Sequence, residues 1–360
     1  MSTAARAWFL EQPGQVLREA DLRLPEPGPG EAVVEVLACG MCHTDLAYAS
    51  GSVAPNHALP LVLGHEVVGT VVEAGDTSLV GQRVIVPAVM PCGRCALCKM
   101  GRGNACNAQK MPGNDIHGGF ASHILVPSNA LVLVPNAPAS VDPRMFGVVA
   151  DAVSTAYQAI RRAGLGAGDI AFVVGTGGVG GYVVQIALAL GARVIACDVD
   201  AQRLALIARH GAEEIVDVSG KAPKDVRKEL HGMARSWGIP THAFRIFECS
   251  GNARGQELAY ALLARAATLV VVGYTMDTIN VRLANLMAFD ASVHGSWGCP
   301  TELYPEVLRM IYDGQVVLDP FVEFAPLSAV NTLLDAMAAH KLTKRMVLDP
   351  RLSSGATNIS

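Results

Sequence analysis

Ile170-Ala171-Phe172-Val173-Val174-Gly175-Thr176-Gly177-Gly178-Val179-Gly180-Gly181-Tyr182-Val183-Val184 joins an apolar run, a glycine turn and a second apolar run. Ile170–Val174 reads as a buried strand and Val179–Leu190 as a helix. Between them stands G-x-G-x-x-G. The first glycine, Gly175, permits a tight turn. The second, Gly177, lets the backbone approach a pyrophosphate, and Gly180 lets helix and strand pack closely. Unpaired amides at the helix N-terminus, around Gly178 and Val179, attract phosphate. The next strand, Arg193–Cys197, leads to Asp198. A carboxylate there accepts the hydroxyls of an adenosine ribose and repels a 2′-phosphate, which favours NAD over NADP. Asp200 competes for the same role. Arg203 is a candidate phosphate partner and keeps NADP open.

The alternation continues from this turn. Helices are expected at Ala201–His210, Pro223–Trp237 and Asn252–Ala266. Strands are expected at Glu214–Val218, Phe244–Glu248 and Thr268–Gly273. That rhythm means a parallel sheet with crossover helices, an α/β doubly wound fold. The first third reads differently. Val33–Leu37, Val67–Val72 and Arg83–Val86 are short β-branched strands, punctuated by turns such as Pro25-Glu26-Pro27-Gly28-Pro29-Gly30. Near the end, Glu302–Tyr312 and Leu327–His340 read as helices and Arg345–Leu348 as a strand. The Ser353-Ser354-Gly355 tail is expected to fray. We therefore expect two domains: a nucleotide domain over 153–295, and a second built from 1–152 and 296–360.

The chain has 360 residues, of which 51% are hydrophobic, ample for two cores. Its net charge of −4 argues against a general nucleic-acid surface. No apolar leader opens the sequence, and stretches such as Tyr182–Leu190 are too short to span a bilayer. A soluble, cytoplasmic protein without membrane partners is expected. Nine cysteines, an odd number, agree with a reducing compartment.

Four of those cysteines, Cys92, Cys95, Cys98 and Cys106, are spaced C-x2-C-x2-C-x7-C. Four thiolates on one lobe, about 91–107, close a tetrahedron around structural Zn²⁺. A pair of disulfides requires an oxidising compartment. A closed zinc site does no chemistry, so a second metal position is sought elsewhere. Cys42-His43-Thr44-Asp45 and Gly64-His65-Glu66 supply one Cys and one His from separate loops, each beside a carboxylate. With a third N, O or S ligand they make an open zinc site with an oriented surround.

The chain resembles the zinc-dependent medium-chain alcohol dehydrogenases over nearly its full length. The resemblance rests on the Gly64-His65-Glu66 block, which continues to Gly69 and Gly75, on the four-cysteine lobe and on the glycine turn, all in the family's order. It implies a GroES-like β-rich catalytic domain beside a Rossmann NAD domain, two zincs per chain, and hydride transfer from a zinc-acidified alcohol to nicotinamide. It also implies that Asp151 is the third ligand of the catalytic zinc; a helix cap is the other reading of Asp151. Thr44 matches the family's proton-relay hydroxyl. The relay's terminal His is replaced here by Ala47, so water or another group must finish that step. His43 and Arg345 match residues that contact the cofactor pyrophosphate. Glu66 lies behind the zinc and tunes or joins its ligand set. Assembly as a homodimer or homotetramer is expected by the same analogy.

Ala88 stands where the family often carries a bulky aromatic, which leaves room for a ring-sized substrate, and Phe120 is expected to border that pocket. The opening Ala5-Arg6-Ala7-Trp8-Phe9-Leu10-Glu11, the Cys42–Ala47 stretch and Asp151 together are similar to the dehydrogenases of cyclic hydroxyacyl-CoA thioesters in anaerobic aromatic degradation. That resemblance implies an allylic ring alcohol bearing CoA as substrate, with Arg94, Lys99, Arg102 and Lys110 available to its phosphates. A general secondary-alcohol or polyol dehydrogenase is the alternative. A hydro-lyase is a third reading, in which an activated water adds to a dienoyl thioester.

Overall fold

The computed structural model describes residues 3–353, so Ser354 and Gly355 of the tail lie outside the described residues. The chain forms two compact units. One comprises the residues up to Ser154, Gly298–Tyr312 and those from Leu318 onward. The other comprises Thr155–Trp297 and the short return Asp313–Val317.

In the second unit six parallel strands lie in the order Glu214–Asp217, Arg193–Asp198, Ile170–Val174, Phe244–Glu248, Thr268–Val271, Ser292–Gly295. The central Ile170–Val174 strand is buried on both faces, which is why its sequence is uninterrupted hydrophobic. Chain order reverses between it and Phe244–Glu248, and that reversal opens a crevice at the carboxyl ends of the two strands. The core is built from Phe172, Ile195, Phe244, Ile246, Leu258 and their neighbours. Helix starts follow local chemistry. Asp200 accepts from the amides of Gln202 and Arg203, and Asn252 accepts from that of Gly255. Two helices stop earlier than periodicity suggests. Ala201–Ala208 runs into Gly211 at φ +120°, and Ala253–Ala261 is followed by a turn with Ala266 at φ +58°. The edge strand Ser292–Gly295 escapes a sequence reading because it is short and polar.

The first unit is β-rich. A seven-stranded sheet includes the path Val322–Pro326, Arg345–Asp349, Glu31–Gly40, Glu66–Ala74, Arg83–Val86, Val132–Leu133, with His123–Pro127 paired to Glu31–Gly40. Three further strands, Arg18–Leu24, Thr3–Leu10 and Leu61–Val62, form a second sheet. The two longest strands, Glu31–Gly40 and Glu66–Ala74, are antiparallel with Gly40 opposite Glu66. A side chain at Gly40 would run into the Glu66 carboxyl, so glycine here lets the two strand ends carry the site residues side by side. A 3₁₀ helix, Pro143–Ala150, buries Phe146 to Ala150 against this sheet and delivers Asp151. Among the described residues no helix is long and apolar enough to cross a membrane.

Candidate metal and nucleotide sites

Cys42 lies just beyond the Glu31–Gly40 strand and caps the helix His43–Ser50. His65 precedes the Glu66–Ala74 strand, and Asp151 occupies the break between the Pro143–Ala150 and Ala152–Ala163 helices. The fold brings the three together. Asp151 Oδ2 is 3.8 Å from Cys42 Sγ and 3.7 Å from His65 Nε2. Ligand separations of about 3.3–3.6 Å are what a tetrahedron with bonds of about 2.0–2.3 Å requires. The donor set therefore fits a zinc with little movement. Glu66 belongs to the same cluster.

The surround fixes these donors. Asp45 is fully buried; its Oδ2 accepts from the Cys42 amide at 2.9 Å and its Oδ1 from the Gly64 amide at 3.0 Å. Its Oδ1 also lies at ion-pair distance from His65 Nδ1. One carboxylate thus ties both ligand loops and orients the imidazole. Although burial opposes it, the Arg345 guanidinium and His65 hold the Cys42 thiol below its ordinary pKa, the direction that favours a metal-binding thiolate. Burial pushes the Glu66 carboxyl well above its ordinary range, while Arg345 pulls it back. Thr44 Oγ1 sits 3.8 Å from Cys42 Sγ, beside the cluster. His43 is solvent-exposed.

Arg345 lies elsewhere than the resemblance implies. Its side chain is only 7% exposed, and Nη1 meets Glu66 Oε1 at 3.2 Å and the Met41 carbonyl at 2.9 Å. In this conformation it is a buried counter-charge to Glu66 and Cys42. Phe120 also departs from expectation: it is fully buried in the core and packs beside Gly64 and Cys39 rather than lining open space. Ala88 is buried next to the site, its amide donating to the Ala150 carbonyl at 3.1 Å.

In the lobe all four cysteines are free thiols. Sulfur–sulfur distances are 3.5 Å for Cys95–Cys98, 3.7 Å for Cys95–Cys106 and 4.0 Å for Cys92–Cys98. Edges of about 3.8 Å follow from Zn–S bonds of about 2.3 Å, so these sulfurs fit one zinc and are far too distant for disulfides. Hydrogen bonds from the backbone of Arg94 and Cys95 lower the Cys92 pKa to about 6.

At the glycine turn, Gly175 has φ +89°, and a Cβ there would meet the backbone of Ser250 and Cys249. The Val179 carbonyl accepts from the amides of Tyr182 and Val183, starting the helix Gly180–Ala189. Asp198 is buried and used by the turn itself. Its Oδ2 accepts from Thr176 N at 2.6 Å and Thr176 Oγ1 at 2.9 Å. Its Oδ1 accepts from the Val199 and Asp200 amides at 2.7 and 3.0 Å. Arg203 Nε lies 3.6 Å from Asp200 Oδ2, with the guanidinium near Gly177. A second buried carboxylate, Glu248, ends the neighbouring strand Phe244–Glu248. Its Oε1 accepts from Ser250 N at 2.8 Å and from Gly251 N at 3.2 Å. An acid closing the strand Phe244-Arg245-Ile246-Phe247, buried apart from Arg245, is the available signal.

Comparison with known proteins agrees with this architecture. Residues 28–136 match the alcohol dehydrogenase GroES-like domain, and residues 178–313 match the zinc-binding dehydrogenase family. The chain is 31% identical to an alcohol dehydrogenase of Geobacillus stearothermophilus, over 93% of this chain and 96% of that one. The alcohol dehydrogenase of Aeropyrum pernix superposes with a TM-score of 0.84 at 27% identity, covering 96% of this chain and all of that one (100%). Acetophenone reductase of Geotrichum candidum, solved with NAD, superposes with a TM-score of 0.82 at 25% identity, covering 96% and 97% of the two chains. The chain belongs to the zinc-dependent medium-chain alcohol dehydrogenase family, and it is an oxidoreductase using zinc and a nicotinamide cofactor.

Proposed function

We propose that this enzyme oxidises a secondary alcohol to a ketone with NAD, using a catalytic zinc on Cys42, His65 and Asp151 and a structural zinc on Cys92, Cys95, Cys98 and Cys106. The observation that carries the reading is the convergence of Cys42 Sγ, His65 Nε2 and Asp151 Oδ2 from three separate segments. When bound, zinc acidifies a substrate hydroxyl and nicotinamide accepts the hydride. The protein supplies the rest. Thr44 Oγ1, beside Cys42, takes the hydroxyl proton and passes it on. With Ala47 in place of a relay histidine, that proton leaves through water. Glu66, held by Arg345, stands behind the ligands and tunes or joins their set. Gly175, Gly177, Gly178, Val179 and Gly180 cradle the pyrophosphate, and exposed His43 is available to it. Asp198 holds the turn and puts negative charge where a 2′-phosphate would lie, which supports NAD. Arg203 is the residue on which NADP use would rest.

For the substrate we favour an allylic alcohol on a six-membered ring, with 6-hydroxycyclohex-1-ene-1-carbonyl-CoA the specific candidate. Small Ala88 beside Asp151 supports a ring. Acetophenone reductase, a relative named for an aryl ketone, agrees with ring-sized ligands. Arg94, Lys99, Arg102 and Lys110 would meet the CoA phosphates. The broader reading, a general secondary-alcohol or polyol dehydrogenase, needs none of the CoA features. NADH formation across cyclohexenols, linear secondary alcohols, polyols and the CoA thioester decides between them. A thioester turned over no better than cyclohex-2-enol rejects the CoA substrate. Incubation with the dienoyl thioester without NAD tests hydration; no hydrated product excludes it.

The nine free thiols support a reducing, cytoplasmic setting. We also propose assembly as a homodimer or homotetramer. The edge strand Ser292–Gly295 and exposed Tyr274, Met276, Leu283, Met287, Val293 and Trp297 support this. Sedimentation showing a monomer at micromolar concentration rejects it.

A further inference from the structure

Asp151 sits where two helices fail to join. Its φ of −137° and ψ of −68° belong to neither the 3₁₀ helix before it nor the α-helix after it. Backbone carbonyls at such a break lose their helical partners and must find others. The Ala150 carbonyl accepts the Ala88 amide at 3.1 Å and the Tyr304 hydroxyl at 2.7 Å. Ser154 Oγ lies 3.2 Å from the Asp151 carbonyl and 3.2 Å from the Tyr304 hydroxyl, within hydrogen-bond distance of each. Tyr304 is 1% exposed and opens the helix Tyr304–Tyr312, which returns late in the chain to the unit holding Asp151.

We infer that Tyr304, with Ser154, is a positioning residue that fixes the Ala150–Asp151 corner and thereby aims the Asp151 carboxylate at the metal. The inference rests on Asp151 being a ligand, as proposed above. A carboxylate has two oxygens and a rotatable stem, so it holds a metal in one geometry only when its backbone is fixed. Asp45 fixes the Cys42 and His65 loops. The phenol and the serine hold the corner that carries Asp151. Outer partners of metal ligands typically change affinity by about 10–100-fold when removed.

The test uses Tyr304→Phe, which keeps the ring and deletes the hydroxyl, with Ser154→Ala and Asp151→Asn beside it. Catalytic-site zinc affinity is measured by chelator competition, and the cobalt-substituted site is examined by its visible spectrum. We expect Tyr304→Phe to weaken that site about tenfold and to shift the cobalt bands, with the lobe zinc unchanged. In the Asp151→Asn background it should add no further loss. If Asp151→Asn leaves affinity and spectrum unchanged, Asp151 is not a ligand and the parent reading falls. If Asp151→Asn weakens the site while Tyr304→Phe and Ser154→Ala match the parent protein in both readouts, the positioning role alone is overturned, whatever happens to the melting temperature. Should Tyr304→Phe fail to fold, Ser154→Ala decides by the same two readouts.

Discussion

His65 Nδ1 lies 3.3 Å from Asp45 Oδ1, in a pair whose side chains are 2% and 0% exposed. The same carboxylate takes the amides of Cys42 and Gly64. Two loops distant in sequence are therefore held by one buried acid. Asp45→Asn removes the charge and turns one acceptor into a donor that faces an N–H. Zinc at the Cys42–His65 site should bind about 10–100-fold more weakly, while the lobe zinc stays. Chelator competition measures this; unchanged affinity would show that Asp45 only caps the helix.

The lobe gives a second prediction. Its four sulfurs lie on one short segment, so replacing one breaks the tetrahedron without touching the sheet. Cys95→Ser should leave about one zinc per chain instead of about two, and lower the thermal midpoint. Metal analysis by atomic emission checks the count. Retention of two equivalents would mean the lobe holds no zinc.

Much of this was legible in the sequence, for physical reasons. The nucleotide unit alternates largely hydrophobic strands with periodic helices, so the uninterrupted run Ile170–Val174 and the run Phe244–Phe247, broken by Arg245, are bounded by their own composition. Local spacing likewise announces the cysteine lobe and the glycine turn. What stayed hidden depends on contacts across long sequence separations. Strand Thr3–Leu10 mixes polar and apolar residues because one face is largely solvated, and Arg18–Leu24 is exposed over most of its length. Arg345 was expected on phosphate, but only the folded sheet shows it buried against Glu66. The Tyr304 bond to Ala150 spans 154 residues, and no local pattern marks it.

The glycine turn separates folding from binding. At Gly180 a methyl would collide with the Gly175 carbonyl, and Cys249 Cβ lies 3.3 Å away. Gly180→Ala should destabilise the protein by about 1–3 kcal/mol, as overpacking does. At Gly177 a methyl meets only the Arg203 guanidinium, 3.5 Å away at the nearest atom. Gly177→Ala should keep stability within about 0.5 kcal/mol of the parent. It should nonetheless weaken NAD by tenfold or more, about 1.4 kcal/mol, because the methyl fills the pyrophosphate cradle. Calorimetric titration with NAD and thermal melts read both effects. If both variants behaved alike, the turn would be a packing device rather than a phosphate site.

Acid stability should depend on the pair that starts the helix leading to Asp151. Arg144 grips Asp142 through Nε at 3.1 Å and Nη2 at 2.6 Å, and the Asp142 carboxylate also accepts the Arg144 amide at 2.9 Å. These contacts hold the Asp142 carboxyl below the ordinary carboxylate range despite partial burial. An acid whose native pKa is depressed stabilises the fold fully above its unfolded value, near pH 4, and loses that contribution as pH falls through the native value. Asp142→Asn should therefore cost about 1 kcal/mol at pH 7, the scale of a partly exposed pair, and almost nothing once pH lies below both values. Denaturant midpoints of the two proteins, compared at pH 7 and at successively lower pH, give the difference directly, since effects common to both cancel. A gap between parent and variant that widened on acidification would reverse the sign and refute the assignment.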